Sequence, residues 1–124
     1  GTASAMKMGN NILLGSMVAG LAQFLAFAEA GGLTRRQVLD VVLAGPMSCT
    51  LFELKEAMFE SGEFETQFPL KHMAKDLRFA RDAAEGYGLD ADLIAAVLAS
   101  YEAAEKDGLG DKDFAAVYGA LKQG

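Results

Sequence analysis

Apolar positions recur with helical spacing along most of the chain, and glycines, prolines and capping residues cut that pattern into six segments. The first runs from about Ala3 to Ala30. Between Ile12 and Ala28 it is apolar on nearly every side, interrupted by Ser16 and Gln23. A helix that is apolar all round lies inside protein or inside lipid. Its length is marginal against the roughly 20 residues of a membrane span, Gln23 sits in its middle, and every later segment is amphipathic and charged. The expectation is therefore a central helix wrapped by others, a partner subunit included, and no membrane span. Gly15 with Ala19, and Ser16 with Gly20, form two small-xxx-small pairs that permit close helix approach.

Gly31-Gly32 ends this segment, and Thr34 with Gln37 forms a capping box for a second helix, Arg35 to Leu43. Gly45-Pro46 stops that one. Ser48 or Thr50 is the expected cap of a third helix reaching about Glu60, followed by a polar loop from Ser61 to Gln67. Pro69 opens a fourth helix, Leu70 to about Glu85, which Gly86 and Gly88 close. Asp90 is expected to cap a fifth helix reaching Lys106, and Asp111 a short last one ending at Leu121. No stretch alternates with a period of two over a strand's length, so the fold class is all-α. No glycine-rich loop follows a strand, so the chain has no dinucleotide-binding fingerprint of its own.

Composition narrows the function. With 124 residues and 52% apolar side chains, one domain can form a core without disulfide staples. A single cysteine, Cys49, forms no internal bridge, and a lone thiol fits a reducing compartment; the expected location is the cytoplasm. Residues 1–81 carry eight basic and eight acidic groups, whereas residues 82–124 carry three and nine, so the net charge of −6 sits in the last third. An acidic chain without a broad basic face is a poor nucleic-acid ligand. One histidine and one cysteine give no metal-ligand set, and none is expected.

Two places can carry chemistry. Lys7, Asn10 and Asn11 share one face of the first helix by their i,i+3 and i,i+4 spacing, and the two asparagines with Gly9 are poor choices for helix stability alone. An amide can orient a lysine amine, and a desolvated lysine can act as a general acid. By themselves these residues fit a frayed, solvated first turn better than a site. On the fourth helix, Lys71, Lys75 and Arg78 form a basic stripe able to meet a phosphate or a carboxylate, or to face water. His72 and Asp76 lie one turn apart there, without a partner for a metal or a triad.

The stretch Gly1-Thr-Ala-Ser-Ala-Met-Lys7-Met-Gly-Asn10-Asn11 resembles the Gly-x-Gly-x-x-x-Lys-x-x-Asn motif of the β-hydroxyacid dehydrogenases. Phe68-Pro-Leu-Lys-His-Met-Ala-Lys75-Asp76-Leu resembles the family's Lys-Asp-Leu motif. Gly108-Leu-Gly-Asp-Lys-Asp-Phe-Ala-Ala-Val117 resembles its last motif. That family includes 3-hydroxyisobutyrate dehydrogenase, tartronate semialdehyde reductase and the glyoxylate/succinic semialdehyde reductases, and the wording of the last two motifs is nearest to the reductases. Ala3 departs from the second glycine of the first motif, a position that bears on substrate contact rather than on the lysine.

The resemblance implies a helical C-terminal domain of the 6-phosphogluconate dehydrogenase-like type, with the Rossmann domain lying outside residues 1–124. It implies that Lys7 is the catalytic lysine, that Asn11, supported by Asn10, orients that lysine and binds substrate, and that Lys75, with Phe68 and Asp76, meets an NADP or NAD cofactor held mainly by the other domain. It further implies a small β-hydroxyacid or semialdehyde substrate and a homodimer or tetramer built through the helical domain. The alternative is a non-catalytic oligomerisation or interaction module derived from the same family.

Overall fold

The structure is a computed structural model that describes residues 1–122. The polypeptide forms α1 (Thr2–Ala30), α2 (Arg35–Ala44), α3 (Thr50–Ser61), α4 (Leu70–Gly86), α5 (Asp92–Ala104) and α6 (Val117–Leu121). A π-turn over Glu105–Leu109 and a 3-10 turn over Phe114–Ala116 link the last two helices. Among the described residues the only β-type pairing is one isolated antiparallel bridge between Pro69 and Asp113, so the domain is all-α.

α1 is the axis of the bundle and packs against α2, α4, α5 and α6. It is the one described helix long and apolar enough to cross a membrane by length and composition. Its buried side, through Val18, Leu21, Ala22, Leu25 and Ala28, joins a core with Val38, Leu39, Phe59, Leu70, Met73, Leu77, Leu98 and Tyr101. The helix is not wrapped on every side by its own chain: Met6, Leu13 and Phe27 are 76%, 61% and 77% exposed. Of the two small-residue pairs, only Gly15 and Ala19 are buried; Gly20 faces open space.

Local signals explain most boundaries. Thr34 Oγ1 accepts the Gln37 amide and the Gln37 side chain accepts the Thr34 amide, so the capping box forms as expected. Three caps differ. α3 starts after Cys49 with no side-chain cap, so neither Ser48 nor Thr50 takes that role. Asp90 accepts the Asp92 amide at 2.8 Å, but from one residue outside the helix, because Ala91 occupies the capping position. Asp111 does not cap the last helical segment; that segment begins two residues later than expected, and Asp113 accepts the Ala115 amide instead. α5 also stops at Ala104, before the expected Lys106. The left-handed Gly108 (φ 86°) turns the chain there, a conformation that costs glycine little.

That turn serves α4. Pro69 gives the helix no side-chain cap. The free N–H groups of Leu70 and Lys71 donate instead to the carbonyls of Lys112 and Gly110, at 2.8 and 2.9 Å. A helix end inside a fold needs such partners, and here residues 110–112 supply them from the far end of the sequence.

Candidate active site

α1 and α4 approach closely at Gly15. A Cβ there would lie 3.1 Å from Met73 Sδ and 3.2 Å from Leu77 Cδ1. The Tyr101 hydroxyl donates to the Gly15 carbonyl at 2.7 Å, tying α5 to the same point. One turn before the contact, Asn11 is only 9% exposed, and its Nδ2 donates to Asp76 Oδ2 at 3.1 Å. The amide of Asn11 thus links the two helices rather than standing free on α1.

Lys7 lies one turn before Asn11, and Lys75 immediately precedes Asp76. These four residues, with Ser4, Met8 and Phe79, line a cleft of about 460 Å³. Neither Lys7 nor Lys75 takes part in an ion pair among the described residues. Two exposed ammonium groups beside one carboxylate give the cleft a positive excess, which suits a carboxylate- or phosphate-bearing ligand.

The basic stripe read from the sequence does not act as a unit. Lys71 pairs with Asp111 at 2.6 Å and Arg78 with Glu102 at 2.8 Å, which leaves Lys75 to the cleft. The Asp111 carboxyl is held below its usual range by the bond to Lys71, and the same contact raises the Lys71 amine.

Asn11 borders a second hollow of about 290 Å³. Leu14, Leu51, Leu54, Phe68 and Phe114 give it apolar walls, and Lys55 and Gln67 reach it as well. Phe68 therefore borders this second hollow with Asn11 and does not line the Lys7 cleft. A third hollow of about 430 Å³, between the end of α3 and the following loop, contains Glu63 and Glu65 but none of the candidate site residues.

Lys7, Asn11, Lys75 and Asp76 come together, and Phe68 adjoins them through Asn11. Asn10 does not: it is exposed and borders neither hollow, because a helix turns it about 100° away from its neighbour Asn11. His72 is exposed and meets Phe68 edge-on, with ring centres 6.2 Å apart. Ser4, Met8 and Phe79 escaped the sequence reading. Their signal was positional: Ser4 and Met8 flank Lys7 and Asn11 at helical spacing, and Phe79 follows Lys75 by four.

The molecule is an all-α bundle around a long first helix, with a lysine-bearing cleft at the start of that helix. The fold matches that of Salmonella typhimurium 3-hydroxyisobutyrate dehydrogenase with a TM-score of 0.86 at 23% identity, over 93% of this chain and 40% of that one. It matches the Mycobacterium tuberculosis 3-hydroxyisobutyrate dehydrogenase, in a structure with L-serine, with a TM-score of 0.81 at 26% identity, over 95% and 43%. Residues 1–121 match the family model for the NAD-binding domain of NADP-dependent 3-hydroxyisobutyrate dehydrogenase, and the chain belongs to that family.

Among its relatives, glyoxylate/succinic semialdehyde reductase 2, chloroplastic, of Arabidopsis thaliana is 35% identical over 122 residues. The cytokine-like nuclear factor N-PAC of Aedes aegypti is 38% identical over 118. The chain spans 34% and 21% of the lengths of these two proteins, while they cover 98% and 95% of it.

Proposed function

We propose that this chain is the helical, C-terminal, lysine-bearing domain of an NAD(P)-dependent dehydrogenase or semialdehyde reductase acting on small β-hydroxyacids or their aldehydes. The observation that carries the proposal is the single cleft in which Lys7, Asn11, Lys75 and Asp76 meet from two helices. In this reading Lys7 protonates the carbonyl oxygen as the alcohol forms, and takes the proton back in the oxidation. Asn11, fixed by Asp76, orients the substrate beside Lys7. Lys75 and Phe68 contact the nicotinamide end of the cofactor.

The donor set fits that end and no more. The exposed amine of Lys75 can meet an anionic or amide group, while the chain has no glycine-rich loop for the pyrophosphate. A separate nucleotide-binding domain is therefore part of the proposal, and the bound cofactor would supply the hydride. The chain alone is expected to turn nothing over.

The test is reduction of a panel of small semialdehydes and oxoacids by the full-length protein with NADPH and with NADH, wild type beside Lys7→Ala. Loss of ~10²–10⁴-fold in kcat is the expected result. An unchanged rate in the variant would remove Lys7 from the chemistry.

A second reading is a non-catalytic assembly module. It draws on the relative whose name carries no enzymatic activity and on the open apolar face of α1. The face also serves the first reading, as the seam of a homodimer or tetramer. An active full-length protein that is oligomeric by light scattering favours the enzyme. An oligomer inert on every substrate favours the module.

A further inference from the structure

Outside the cleft, the fold buries one charged pair. Lys55, on α3, is 3% exposed, and Asp113, before the last 3-10 turn, is fully buried. Lys55 Nζ lies 2.9 Å from Asp113 Oδ2, and also 4.6 Å from the centre of the Phe114 ring. Burying two charges is costly unless every polar atom finds partners, and here it does. Asp113 Oδ1 accepts the backbone N–H groups of Gln67 and Phe68, at 3.1 and 3.0 Å. Oδ2 accepts Lys55 Nζ and the Ala115 amide, at 2.9 and 3.1 Å.

Two of these four bonds go to the loop that carries Phe68. That loop has no regular structure of its own between Gly62 and Pro69. Further ties run to residues 111–114: Asp113 donates to the Phe64 carbonyl, Phe114 to the Phe68 carbonyl, and the Thr66 hydroxyl to the Asp111 carbonyl, while Gln67 Oε1 accepts Lys55 Nζ at 3.4 Å. The Phe68 ring packs edge-on against Phe114, with centres 5.8 Å apart, and forms the wall of the apolar hollow that opens at Asn11.

We propose that Asp113, paired with Lys55, is a positioning residue for the active site: it fixes the Gln67–Phe68 backbone so that the Phe68 ring is held at Asn11, in place for the nicotinamide end of the cofactor. Neither charged group lines the Lys7 cleft; both act through the loop that carries Phe68. Lys55 supplies the counter-charge, so the carboxylate can be buried and still accept two loop amides. The inference rests on the functional reading above for its kinetic consequence, though not for the anchoring.

The test compares two double variants that both remove the charge pair. Lys55→Met with Asp113→Asn keeps a side-chain oxygen for the loop amides, and Lys55→Met with Asp113→Ala does not. Amide hydrogen exchange is followed in this chain at Gln67 and Phe68, with Met73 and Leu77 in α4 as references. In the alanine variant exchange at the two loop amides is expected to rise about tenfold or more, in keeping with the loss of charge-assisted bonds. The asparagine variant and the α4 amides stay near wild type.

If the alanine variant does not fold, Asp113→Glu, which shifts the carboxylate by one methylene, replaces it with the same readout. Equal exchange at Gln67 and Phe68 in all variants, or uniform loosening that includes α4, overturns the proposal. In the full-length protein the alanine variant should raise the KM for the nicotinamide cofactor about tenfold with kcat within about threefold and an unchanged pH profile. An inert full-length wild type would sink the dehydrogenase reading and leave the exchange result to decide the anchoring.

Discussion

The contact between α1 and α4 makes a sharp prediction about one methyl group placed at two sites. Gly15→Ala and Gly20→Ala are the same chemical change in the same helix. Each replaces a poor helix former by the best one, a gain of about 1 kcal/mol. At Gly20 the added Cβ meets nothing within 4 Å, so that gain should stand. At Gly15 it meets Met73 Sδ at 3.1 Å and Leu77 Cδ1 at 3.2 Å, both on fully buried side chains that must shift. Overpacking of a dense core costs about 1–3 kcal/mol. The propensity gain cancels between the two variants, so their stabilities should differ by about the overpacking cost alone. Urea unfolding followed by circular dichroism measures it, with Gly20→Ala above wild type and Gly15→Ala below its partner by that margin. Two variants equal within about 0.5 kcal/mol would refute the close contact, and with it the geometry that sets Asn11 against Asp76 one turn away.

Other outcomes follow from the same coordinates. Thr34→Ala removes one half of the capping box of α2 and should cost about 1 kcal/mol in thermal or urea unfolding, whereas Ser48→Ala, which removes no cap of α3, should cost less. The Tyr118 phenol is pushed up to about 12, by burial first and then by its bond to Glu29. A raised pKa means that the folded state favours the protonated phenol. Its contribution is therefore complete below the unfolded value near 10 and is lost as pH rises towards about 12. Unfolding at pH 8, 10 and 11.5 should show stability falling over that window, less steeply in Tyr118→Phe; identical slopes would remove Tyr118 as a cause.

The number and order of the helices were legible in the sequence because their signals are local. Apolar spacing, Gly31-Gly32, Gly45-Pro46, Pro69 and the Thr34–Gln37 box all act within a turn or two of themselves. The lysine-bearing face of α1 was legible for the same reason, since Lys7 and Asn11 are one turn apart. The partners of those residues were not. Asn11 meets Asp76 across 65 positions, and the pairing of Lys71 and Arg78 with Asp111 and Glu102 removed two members of a stripe that looked continuous.

The tail motif shows the division most clearly. From the string alone Asp111 is the expected cap of the last helix. In the fold, Asp113 is the one that turns inward, because Lys55 waits 58 positions away with a charge that burial requires to be matched. Sequence by itself determined which segments are helical, through signals that act within a turn or two. Tertiary structure alone decided which polar groups meet, since a hydrogen bond or an ion pair between distant segments depends on packing that no local pattern encodes.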